Sequence, residues 1–256
     1  MQKIWEVFPK LAAAVCEDHL KEGMTGSGHD FEHAARVGQY AYLVAYYNAL
    51  NICPVDEAES WARLAGAAGL CHNADRILQR RVGIDRLSNN VSEEEIWMLI
   101  RRWFGEEGDI FYTKSSYPNY YDLPELEKTN LVVKAVLGHN GKNDESDSPV
   151  LVALMDADRL VNIELDLVIR CGQFQPDLPA VDFRHLLDDP TASYKDPKSV
   201  LSDIKSSLEW ETDPRFALRT PRAIEMGRAR FAALRFYMET LLEQIKESGL
   251  IPYPFA

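Results

Sequence analysis

A chain of 256 residues with 40 acidic against 28 basic side chains carries a formal net charge of −12. That surplus excludes non-specific binding to nucleic acid and docking on anionic membranes. With 46% apolar and 27% charged residues the composition is that of a globular domain able to bury a large core. No apolar run has the length of a bilayer span, and the N-terminus lacks the basic-then-apolar pattern of a secretory signal. The four cysteines (Cys16, Cys53, Cys71, Cys171) form no C-x-x-C pair, and three fall in apolar helical patterns. They read as reduced core residues of a cytoplasmic protein.

The spacing of Ile4, Val7, Phe8, Leu11, Ala14, Val15 and Leu20 predicts a packing helix over 3–21, with His19 solvated among Glu17, Asp18 and Lys21. A second helix opens at Gly28-His29-Asp30-Phe31-Glu32-His33-Ala34-Ala35-Arg36-Val37. Asp30 sits where an N-cap belongs, because its carboxylate can accept from the free N–H groups of the first turn. His33 falls in that turn, and Val37, Tyr40, Ala41, Leu43, Val44 and Tyr47 carry the helix to 50. A third helix spans 56–73, with Ala58, Trp61, Ala62, Leu64, Ala65, Ala68 and Leu70 as its apolar positions. Its small residues Ala65, Gly66, Ala67, Ala68 and Gly69 let a second helix approach closely, as a site with ligands from two neighbouring helices requires. It ends at His72-Asn73, with Asp75 and Arg76 in the next turn.

Ser92 caps a helix over 92–104 that has Glu93, Glu94 and Glu95 in its first turn. The tyrosine-bearing loop 105–123 is long enough for a lid or for an ordered surface insertion. A proline-started helix over 124–139 ends at His139, with Lys142 just beyond. Residues 148–171 read as a single long helix on which Asp156, Arg159 and Ile163 share one face and Asp158 lies on another. Glu164 and Asp166 read as solvent-facing charge or as partners of Arg159 and Arg170. A polar, proline-rich stretch over 172–196 leads to helices at 197–210 and 220–248, the last started by Thr220-Pro221 and carrying Phe231, Leu234, Met238, Leu241 and Ile245 as a core stripe. The arginines at 215, 219, 222, 228, 230 and 235 are expected to pair with the protein's own carboxylates rather than to hold a phosphate. No strand pattern and no internal repeat is visible, so the fold expected is all-α.

Metal-competent side chains at positions 33, 72 and 156 interrupt strongly apolar helical runs. Buried His and Asp are costly unless paired, hydrogen-bonded or coordinated, so a common cavity explains all of them together. The opening G-H-D-x-x-H-x-x-R-V, the His72-Asn73 doublet and the distant D-A-D-R-L string of residues 156–160 together resemble the HD-domain superfamily of metal-dependent phosphohydrolases, in its small single-domain branch. The likeness covers roughly residues 25–165. It implies a helical bundle over 1–171, with 172–256 as a linker and further helices packed on it. It implies His33, His72, Asn73 and Asp156 as ligands of a divalent ion such as Mn, Fe, Co, Ni or Zn. Asn73 stands where the family has its bridging aspartate, which implies a mononuclear centre. Asp75 or His139 would take a proton from the attacking water, and Arg36, Arg76, Lys142 or Arg159 would hold phosphate charge. The function expected is hydrolysis of a nucleotide or another small phosphate ester. The alternative is a degenerate relative that binds a nucleotide or protein partner without hydrolysis; a homodimer is compatible with either.

Overall fold

Two glycines set the central helix pair. A Cβ built on Gly69 would lie 2.5 Å from Gly38 Cα, so the two backbones touch where these residues cross. The helices that carry them are α3 (Phe31–Ala49) and α4 (Val55–Cys71), and α3 packs more extensively on α4 than on any other element. The small-residue stretch Ala65–Gly69 is wholly buried in this contact. The close approach brings the first turn of α3 beside the last turn of α4.

The computed structural model describes residues 2–26, 28–83, 91–105, 125–193 and 196–252. Around α3 and α4 stand α1 (Ile4–Val7), α2 (Pro9–Lys21), α5 (Ala74–Arg81), α6 (Glu93–Phe104), α7 (Glu125–Gly138), α8 (Pro149–Val161), α9 (Leu167–Phe174), α10 (Val200–Ser207) and α11 (Pro221–Glu247). The fold is an all-α bundle. Among the described residues the β pairing is confined to an isolated bridge between Ser193 and Asp196. None of these helices is long and apolar enough to cross a membrane. The cysteines carry no disulfide.

Local chemistry starts these helices where the caps predict. Asp30 accepts from the His33 amide at 2.9 Å, Ser92 and Glu95 close a reciprocal capping box, and Ser148 and Thr220 each cap a helix that begins with proline. Helix α8 packs on α3, α4 and α7, and α11 closes over α8 and α3.

Several expectations are corrected. The helix over 3–21 is broken at Phe8, because Pro9 has no N–H to give and disfavours helical geometry in the residue before it. The helix over 148–171 stops at Val161 and restarts at Leu167. The turn between them delivers Glu164 and Asp166 to Arg36 of α3, at 2.7 and 2.8 Å, and Glu164 also accepts from Tyr40 at 2.6 Å. The C-terminal helix over 197–210 becomes α10 followed by a 3-10 turn, Leu208–Glu211. His19 is buried rather than solvated, with Nδ1 on the Val15 carbonyl and its ring edge-on to Phe31. Residues 106–123 of the expected lid loop lie outside the described residues.

Candidate metal centre

His33 projects from the first turn of α3, held there by the Asp30 cap. His72 is the C-cap residue of α4, and its Nδ1 lies 2.7 Å from the Gly69 carbonyl. A carbonyl can only accept, so that contact puts the proton on Nδ1 and leaves the Nε2 lone pair for a ligand. Gly69 therefore acts twice: it lets the helices meet, and it orients the ring. The third group is Asp158 of α8, whose Oδ1 is 3.4 Å from His33 Nε2 and 3.9 Å from His72 Nε2. One ligand atom from each of His33, His72 and Asp158 lies within 4.8 Å of the others.

The electrostatics suit a cation. His33 and His72 are buried, and Nε2 of each has no hydrogen-bond partner. Buried polar atoms are nearly always satisfied, so these nitrogens need a reason. Burial, reinforced by the neighbouring His33, lowers the His72 pKa to about 3. Burial alone would raise Asp158, but the approach of His33 and the fields of His72 and His139 outweigh it and hold the carboxyl well below its ordinary range. At neutral pH the site thus presents a neutral imidazole at His72 and an ionised carboxylate at Asp158, the forms in which such groups bind metal.

Further groups surround this core. The His29 ring lies edge-on to His33 at 5.6 Å and to Phe174 at 4.8 Å. Its Nδ1 is buried without a hydrogen-bond partner, and burial, followed by the charge of His33 and Arg76, lowers its pKa well below the usual value. On the other side the His139 ring is 5.5 Å from that of His72, with Nδ1 on the Val136 carbonyl at 2.5 Å. Asn162, the C-cap residue of α8, donates from Nδ2 to Asp158 Oδ1 at 3.0 Å and accepts from Arg170 at 3.3 Å. Asn162 thus orients the Asp158 carboxylate through Oδ1, the oxygen that also faces the imidazoles.

The expected site residues divide. His33, His72 and His139 come together. Asp156 does not join them: it is fully buried on the opposite side of α8, where it accepts from the amides of Arg219 and Thr220 at 3.0 and 2.8 Å and from the Thr220 hydroxyl at 2.8 Å. It anchors the start of α11. Arg159, expected to hold phosphate, is buried on that same side and donates to Asn143 and the Ala217 carbonyl. Arg36 is taken up by Glu164 and Asp166. Asn73 is buried beside His72, with its amide directed to the His29 carbonyl at 3.2 Å. Asp75 and Arg76 begin α5 next to each other, and Arg76 also donates to Gln79 at 3.2 Å. Lys142 stands exposed in the turn after α7, its charge felt by Asp213. Five of the six C-terminal arginines pair with carboxylates, as expected: Arg215 with Asp213, Arg219 with Asp147, Arg222 with Glu225, Arg230 with Glu164 and Arg235 with Glu211.

Asp158, His29 and Asn162 were not singled out from the sequence. For Asp158 the i, i+4 asparagine is compatible with the role but does not by itself distinguish it from Asp156. Comparison of the chain with protein-family models, with curated proteins and with solved structures returns no match.

Proposed function

We propose that the protein is a divalent-metal-dependent phosphohydrolase of the HD-domain type, acting on a nucleotide or another small phosphate ester. The observation that carries this reading is the buried meeting of His33, His72 and Asp158, with imidazole nitrogens that have no hydrogen-bond partner. Two imidazoles and one carboxylate suit Mn, Fe, Co, Ni or Zn better than Mg or Ca, which prefer all-oxygen sets. Bound there, such an ion supplies Lewis acidity toward a phosphoryl oxygen and lowers the pKa of water.

The chain's own residues do the rest. Asn162 fixes the Asp158 carboxylate and the Gly69 carbonyl fixes the His72 ring, so two of the ligands are pre-oriented. With Nδ1 of His139 tied to a backbone carbonyl, Nε2 is the atom available to take a proton from the attacking water. Asp75, half-buried at the start of α5, is the second candidate for that role. Arg76, three residues beyond Asn73 at the start of α5, and Lys142, exposed in the turn after α7, are the cations assigned to the phosphate; Arg76 would have to exchange its contacts with Asp75 and Gln79 for it. Arg36 and Arg159 leave the substrate-binding set, since both are committed to partners in the fold.

One observation favours a second reading, a protein that binds a nucleotide or a partner without hydrolysis: Asn73 stands where the resemblance leads one to expect an aspartate. Metal analysis of purified protein, followed by a screen of nucleotides and sugar phosphates with Mn²⁺ or Co²⁺, separates the two. The expected result is about one equivalent of metal and hydrolysis that Asp158→Asn abolishes. Metal uptake without hydrolysis of any substrate would support the second reading, and no metal uptake would defeat the phosphohydrolase reading.

A further inference from the structure

Asn73 is the residue at which the chain departs from the pattern it resembles, and the structure gives it different work. It occupies the N-cap position of α5, where an asparagine side chain ordinarily accepts from the amides of the first turn. Here it makes no such bond. Its amide instead reaches across to the carbonyl of His29, 44 residues earlier in the chain, at 3.2 Å. Asn73 is 2% exposed, so this donor is shielded from competing water.

The acceptor belongs to the bend that leads into α3, where the His29 ring also meets Phe174 at 4.8 Å. Gly28 has a φ of +80°, a conformation side-chain-bearing residues avoid. Asp30 holds one end of the bend by accepting from the amides of Gly26 and His33, at 3.2 and 2.9 Å. Asn73 holds its middle. Between these ties lies the backbone of His29, whose ring stands against His33.

We propose that Asn73 is a positioning residue: by donating to the His29 carbonyl it holds the Gly28–His29 bend against the end of α4, and so fixes the edge-on contact of His29 with His33 beside the metal-competent cluster. The consequence for the metal rests on the functional reading above; the tether itself does not. A carboxylate at this position has no proton to donate and would set an oxygen against the His29 carbonyl. Asn73→Asp therefore recreates the doublet of the resembled family at the cost of the bend, and does not create a second ion site.

The test uses the full chain and its Asn73→Asp and Asn73→Ala variants. In metal-free protein, amide hydrogen exchange is followed at Gly26 and His33, whose acceptor is Asp30, and at core amides of α7 and α11. Both variants are expected to lose protection at Gly26 and His33, about tenfold or more, with the core amides unchanged. Cobalt titration of the same proteins is expected to give about one equivalent in each, bound roughly 10–100-fold more weakly in the variants. Unchanged protection at Gly26 and His33, or an Asn73→Asp protein that binds cobalt more tightly or takes a second equivalent, overturns the proposal. If wild-type protein takes up no cobalt, the metal reading alone fails, and the metal-free exchange still decides whether Asn73 is a tether.

Discussion

Asp156 and Asp158 stand two residues apart on α8 and face opposite ways. Asp156 is surrounded by donors from the start of α11 and has nothing left to offer a ligand. Asp158 receives one amide, from Asn162, and otherwise looks onto imidazole nitrogens that lack hydrogen-bond partners. Their acidities differ in sign as well: burial holds Asp156 above its ordinary pKa despite its donors, whereas the histidines hold Asp158 well below. A buried carboxylate is not evidence of a site. What marks one is a neighbourhood left chemically incomplete.

The contrast is broken most directly by removing each carboxylate. Asp156→Ala leaves the Arg219 and Thr220 donors buried without an acceptor, and denaturant melts of metal-free protein should show a loss of about 3 kcal/mol. Asp158→Asn should stay within about 1 kcal/mol of wild type in the same melts. Equal losses would mean that both carboxylates are structural.

Gly69→Ala sharpens the picture from the other helix. Its methyl group would meet the Gly38 backbone at 2.5 Å, with no flexible side chain to yield. A destabilisation of about 2 kcal/mol is expected, with weaker cobalt binding, because the Gly69 carbonyl that orients His72 must move with the helix. Loss of stability without any change in metal affinity would separate the two roles given to Gly69.

A smaller effect is the pH dependence of the metal-free protein. His72 has a folded pKa of about 3, below its unfolded value near 6.5. Above pH 6.5 neither state holds the proton; below it the unfolded chain binds one that the folded chain refuses. Stability should fall as the pH drops from about 6 to 4, by about 1.4 kcal/mol per unit from this residue. His72→Gln should flatten that slope by the same amount, measured by urea melts across the range. The smallest effect concerns Arg36, half-buried in its ion pairs with Glu164 and Asp166: Arg36→Ala should cost about 1 kcal/mol and leave KM for any phosphate ester unchanged.

Much of this arrangement is legible in the amino-acid order, and the illegible part has a common cause. The Asp30 cap, the small-residue face of α4 and the apolar runs that bury His33 and His72 are local features, and they place those two imidazoles correctly. The choice between Asp156 and Asp158 is not local. Residues two apart on a helix point in nearly opposite directions, and the rotation of α8 is fixed by Thr220, 64 residues further on. The turn after Val161 is likewise met by a distant residue, Arg36, 128 residues before Glu164. Periodicity assigns Asp156 and Arg159 to a shared face, and they do share one. That face is satisfied within the fold, and the other looks onto the imidazole cluster.

Cobalt titration followed by visible absorption, on wild type, Asp156→Asn and Asp158→Asn side by side, tests this division most directly. The account predicts binding of about one equivalent to wild type and to any Asp156→Asn protein that remains folded, and a loss of at least roughly 100-fold in affinity for Asp158→Asn. Undiminished binding by Asp158→Asn, or none by wild type, would contradict it.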